Sequence, residues 1–110
     1  NTRMNKVILI HETKGSIEEI YLDISPVKNQ IFLLLGGSQT FIGQWPDIDV
    51  VIMKADNAIT KNENELPHPF NGEDVYGKIL LVRMDENSEP QDFTLSEYES
   101  FSNRNKRLPV

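Results

Sequence analysis

Four consecutive apolar residues, Val7 to Ile10, stand between the polar segments "NK" and "HETKG". So short and uniformly apolar a run suits a strand covered on both faces, which places "NKVILIHE" centrally in a sheet. Gly15 can supply the positive φ of a tight turn. Beyond it "SIEEIYLDI" alternates, with Ile20, Leu22 and Ile24 on one face and Glu19, Tyr21 and Asp23 on the other. The two segments read as a hairpin with one wet face.

In "SPVKNQIFLLLGG", Ser25 can cap, Pro26 suits the first helical position and Gly36–Gly37 suits a C-terminal stop. Val27, Ile31, Leu34 and Leu35 then share one helical stripe, which predicts a helix; a buried strand over 31–35 competes, because periodicity does not separate the two in so short a run. "SQTFIGQW" reads as a strand with Phe41 and Trp45 on one face, closed by Pro46, and "DIDVVIMKA" as a second apolar strand. Residues 55–75 are polar, Asn-rich and interrupted by Pro67, Pro69 and Gly72, which predicts a long surface loop.

"KILLVRM" reads as a strand and "DENSEPQD" as a turn region. Thr94 and Glu97 then form a capping box for the helix "LSEYESF", and Asp92 lies ahead of it where negative charge is favoured. Leu95, Tyr98 and Phe101 fall within about a third of the helix circumference by the 3.6-residue period and would dock it.

The element order β-β-α-β-β-β-α predicts an α+β domain: a mostly antiparallel sheet of about five strands with one or two packed helices. A β-grasp-like roll is one way to connect them, and the strand order stays open. At 110 residues the chain is expected to form a single domain, with residues 1–4 and 102–110 as flexible ends and Met4 as a natural start.

Composition narrows the function classes. With 38% hydrophobic and 25% charged residues the chain is an ordinary globular domain. It has no cysteine, which excludes disulfides, thiolate zinc sites and thiol catalysis and fits a reducing compartment. Together with the absence of a signal-peptide pattern, of a run long enough to span a bilayer and of an Asn-x-Ser/Thr sequon, this gives an intracellular expectation. A net charge of −6 disfavours nucleic acid and anionic membranes as partners; the basic "RNKR" at 104–107 reads as a solvated tail.

Candidate chemistry is sparse. Asp47 and Asp49 of "PDID" with Glu12 and Lys14 of "ETK" have the residue types of a magnesium nuclease, in the wrong chain order and beside turns where Asp and Glu are common. His11 and His68 lack partners at ligand spacing, although Glu12 and Glu65 could bring them together in space. "LGGSQT" lacks the Lys-Ser/Thr of a phosphate loop. No catalytic residue, metal or cofactor is implied.

Two surface features point to binding. In "ELPHPFNG" two prolines frame His68 and precede Phe70, so a pre-ordered extended segment presents an imidazole and an aromatic ring, unless Leu66 and Phe70 pin the loop to the core. Asp85, Glu86 and Glu89, with Asp92, Glu97 and Glu99, can form an acidic face.

The stretches "GGSQTFIGQWPDIDVVIMKADN" and "LPHPF" to "YGKILLVRMDENSEPQDFTLSEY" resemble small acidic domains of unknown function found in algae, in large DNA viruses of algae and in phages. The resemblance covers about residues 5–101 and brings no activity with it. The reading is therefore a non-enzymatic module that binds another protein through Asp85, Glu86, Glu89, His68 and Phe70. The alternatives are a DNA mimic that inhibits a nucleic-acid enzyme, and a small-molecule protein or enzyme with a pocket between sheet and helix.

Overall fold

The computed structural model describes residues 4–106. Residues 1–3 and 107–110, which include most of the N-terminal and part of the C-terminal segment expected to be flexible, lie outside the described residues. Strands β1 (Asn5–Ile10), β2 (Ile17–Leu22), β3 (Gln39–Trp45), β4 (Val50–Ala55) and β5 (Ile79–Met84) form an antiparallel sheet in the order β2-β1-β5-β4-β3, and the two-residue β6 (Pro90–Gln91) pairs with the end of β5. Helix α1 (Gln30–Leu35) lies between β2 and β3 in sequence, and helix α2 (Leu95–Lys106) closes the described chain. The sheet is α+β and antiparallel as its sequence predicts.

β1 and β5 are interior strands whose apolar runs face cores on both sides, and Val7, Ile8, Ile10 and Ile79 to Val82 are fully buried. One core contains Ile8, Ile10, Ile52, Ile79 and Leu81 with Phe93, Tyr98 and Phe101 from the α2 side; the other contains Val7, Leu9, Met53, Leu80 and Val82 with Ile31 and Leu35 of α1. Each fully buried aliphatic side chain contributes about 1.5–3 kcal/mol. This double burial explains why those runs do not alternate.

Three local readings are corrected. The helix is shorter than its stripe: Pro26–Lys28 is a 3-10 turn, and Asn29 at φ 56° breaks the register before α1 begins. Val27 is consequently 90% exposed, while Ile31 and Leu35 are buried and Gly36, at φ 80°, supplies the left-handed stop. Phe41 and Trp45 do not share a face, because a bulge between Phe41 and Gly43 pairs Phe41 with Met53 on the α1 side and Trp45 with Val50 on the α2 side. Asp23 is buried rather than wet: its carboxylate accepts the Ser25 N–H at 2.9 Å and its own N–H donates to Gln30 Oε1 at 3.0 Å.

The capping box forms as its spacing dictates, with Glu97 N–H donating to Thr94 Oγ1 and Thr94 N–H to Glu97 Oε1, both at 3.1 Å. Leu95 N–H also donates to Glu19 Oε1 of β2 at 2.9 Å, which fixes where α2 starts on the sheet. Arg83 completes the anchor by donating to Glu97 Oε2 at 2.7 Å, to the Asp92 and Ile48 carbonyls, and by lying over the Phe93 ring. The helix runs on to Lys106, five residues past the "LSEYESF" segment.

Candidate functional site

The segment 56–78 links two adjacent strands, β4 and β5, and is far longer than that connection needs. It contains no strand and only the isolated bridge Lys61–Tyr76, yet Asn62, Leu66, Pro67 and Val75 are buried. Polar side chains hold its first half. Asn62 Nδ2 donates to the carbonyls of Ile10 (3.3 Å) and Gly77 (2.9 Å), and Asn64 Nδ2 to those of His11 (2.8 Å) and Thr13 (3.0 Å). Glu63 N–H donates to the Glu12 carbonyl at 2.7 Å, while Lys14 N–H donates to Glu63 Oε1 at 3.0 Å. The β1–β2 turn and the 62–64 stretch thus satisfy each other's backbone.

Aromatic contact holds the second half. Trp45 Nε1–H donates to the His68 carbonyl at 3.1 Å, and Phe70 meets the Trp45 ring edge-on, with centroids 6.0 Å apart. Gly43 is required beneath it, since a Cβ there would stand 2.4 Å from Phe70 Cζ. The His68–Pro69 peptide bond is cis.

Between this pinned segment and α2 runs an open groove of about 980 Å³, with Lys14, Glu63, Asn64 and Glu65 toward one wall, His68 and Asn71 at the rim, and Tyr98, Glu99 and Asn103 from α2. An adjoining depression of about 440 Å³ shares Glu63, Asn64, Glu65 and Asn71 with it and adds Lys61, Glu73 and Asp74. Lys61 pairs with Asp74 at 3.2 Å.

Tyr98 forms the floor. Its side chain is only 4% exposed, with its ring beside Phe93 and Trp45. The residue lines the groove, and its hydroxyl bonds no described residue and is not sealed from solvent. Burial pushes its pKa up to about 12, so the group is a neutral donor and acceptor at ordinary pH.

The residues singled out from sequence fall in two places. His68 is exposed at the groove rim, and Phe70 is the half-buried prop behind it. Asp85, Glu86 and Glu89 stand apart on the β5–β6 turn and line neither depression. Asp85 builds that turn: its carboxylate accepts from the N–H groups of Asn87 and Glu89 and from Gln91 Nε2. Those bonds, the one from Glu89 first, hold its pKa below the usual carboxylate range.

Other candidates disperse. Asp47 and Asp49 occupy the β3–β4 turn, at the opposite end of the sheet from Glu12 and Lys14. His11 pairs with Glu18 on the α1 side, away from His68. Among the described residues no three His, Asp or Glu side chains are grouped to hold a metal ion, and no helix is long and apolar enough to cross a membrane.

Tyr98 as a site residue is what the sequence reading missed, having placed it only as a docking residue. The available signal was the choice of tyrosine over phenylalanine at a core position, since a buried tyrosine carries a polar tip that needs an outlet.

Residues 7–101 fit the model of a family described as a family of unknown function, DUF5880. No curated protein matches the chain, and no solved structure does.

Proposed function

The chain belongs to the DUF5880 family, a family of unknown function, and from that premise we propose that it is a non-enzymatic module that holds an extended segment of another protein in the groove between α2 and residues 63–71. One observation carries the reading: Tyr98, a side chain almost wholly removed from water, lines the groove, and its hydroxyl stays open to solvent without a partner from the described residues. Water reaches that hydroxyl in the free protein, and a main-chain group of a bound segment can replace the water and bond it.

The lining suits a peptide. Asn71 and Asn103 each present an amide donor and an acceptor, the pairing that an extended main chain offers in return. His68 contributes from the rim, and Phe70 acts through it by keeping the wall upright. Glu86 and Glu89 on the β5–β6 turn add long-range attraction that speeds encounter, with Asp85 fixing the turn that carries them.

The alternatives have less support. A small-molecule site buries most of its ligand, whereas this groove is open on one side. A DNA mimic needs a ridge of available carboxylates, but those of Asp85, Asp92 and Glu97 are engaged by internal hydrogen bonds.

The test is selection of peptides from a random display library on the immobilised chain, followed by amide chemical-shift mapping of a selected peptide on the labelled protein. The expected shifts fall in residues 63–71 and 95–105. Failure to select any peptide, or shifts confined to α1, would overturn the reading.

A further inference from the structure

The groove's charge narrows what it takes. Along the two continuous depressions, five carboxylates, those of Glu63, Glu65, Glu73, Asp74 and Glu99, face two lysines, and Lys61 is already neutralised by Asp74. Glu63 gives one oxygen to the Lys14 backbone. Glu65 and Glu99 are exposed on opposite walls, one on the 63–71 segment and one on α2, and neither has an ion-pair partner among the described residues.

An acidic cluster alone specifies no ligand. Here it surrounds Tyr98, a buried side chain that lines the groove and whose hydroxyl stays open to solvent without a partner among the described residues. Charge selects the side chains of a bound segment, and the hydroxyl supplies a bond to its main chain.

We infer that the segment held in this groove is basic, with lysine or arginine side chains set between Glu65 and Glu99. The inference rests on the binding-module reading above and deepens it. Cationic side chains match the unpaired carboxylates, and a carboxylate-rich segment would meet more like charge than opposite charge, since Lys14 is the one lysine of the lining without an ion pair among the described residues. Arginine suits it further, because its guanidinium can bond a carboxylate through two parallel N–H groups.

The test is fluorescence anisotropy with three labelled peptides of one length: one carrying Lys and Arg between Ala and Gly spacers, one with those positions changed to Gln, and one with them changed to Glu. The basic peptide is expected to bind at least about tenfold tighter than the Gln peptide, an advantage of about 1.4 kcal/mol, and to weaken as salt rises. Glu65→Gln with Glu99→Gln should remove most of that advantage. Asp47→Asn with Asp56→Asn, an equal charge change outside the groove, should keep it. Circular dichroism verifies that both variants fold.

Equal binding of the basic and Gln peptides would overturn the basic-segment inference and leave the binding module standing. Loss of the advantage in both double variants would overturn it too, since net charge rather than the groove would then be responsible. Full competition by spermidine at matched charge would point to a polyamine site instead of a peptide site. A chain from which no display library selects any peptide would overturn the module reading itself.

Discussion

Trp45 and His68 are joined by a 3.1 Å hydrogen bond from the indole N–H to a main-chain carbonyl, so the rim of the groove is fastened to the end of β3. Phe70 lies against the same indole and above Gly43. Gly43→Ala should therefore destabilise the fold by about 1–3 kcal/mol, the usual range for overpacking a filled site. In a Phe70→Ala background the same substitution should cost much less, because the ring it strikes is gone. Urea unfolding of the four proteins in this cycle measures the coupling; strict additivity would mean that Phe70 does not cover Gly43.

Asn62 is a buried side chain that satisfies two carbonyls from different parts of the chain, those of Ile10 and Gly77. Asn62→Ala should cost about 1–3 kcal/mol, since it leaves both acceptors buried without their donor. Hydrogen exchange should rise along 62–64 and 75–77 together. A change of less than about half a kcal/mol would place Asn62 among ordinary surface positions.

Acid should loosen the attachment of α2. The guanidinium of Arg83 first, then the Thr94 bonds, hold Glu97 below its ordinary pKa, and the Lys6 N–H followed by the Asn5 amide do the same for Asp92. A depressed folded pKa contributes stability that is present above the ordinary carboxylate range and lost as pH falls through the folded value. Stability should thus drop on the acid side, and Glu97→Gln with Asp92→Asn should flatten that limb in urea titrations run at successive pH values. An acid limb unchanged by the double variant would contradict the assignment.

Alkali acts through Tyr98. Its pKa is raised to about 12 by burial, so the folded state favours the neutral phenol. The associated stability is fully present below the free tyrosine value of about 10 and is lost as pH rises through about 12. Tyr98→Phe should remove the latest step from the phenolate absorbance titration and lessen the loss of stability between about pH 10 and 12.

The strands and the second helix were legible because local pattern and burial agree there. Val7 to Ile10 and Ile79 to Val82 are apolar throughout since both faces of β1 and β5 are covered, and Thr94 with Glu97 carries its own capping geometry. The Phe41–Trp45 face was not legible, because a bulge reverses the alternation without any change in composition. The groove was least legible. It depends on Asn62 and Asn64 reaching backbone more than 50 residues away, and nothing in "KNENELPHPF" states where those amides point. His68 and Phe70 share one segment but stand in different places: His68 lines the groove and Phe70 lies against Trp45 behind it.

The central claim is that the Tyr98 hydroxyl serves a ligand and not the fold. Since that oxygen bonds no described residue, Tyr98→Phe should leave the urea midpoint at neutral pH nearly unchanged, whereas Tyr98→Ala, which empties the space of a buried ring, should cost about 3–5 kcal/mol and Glu99→Ala little. The decisive measurement is calorimetric titration of a display-selected peptide into the wild-type chain and Tyr98→Phe at the same pH. The account predicts binding weakened by about tenfold or more in the variant, the loss of one buried hydrogen bond of about 1.4 kcal/mol. Equal affinity for the two proteins would contradict it.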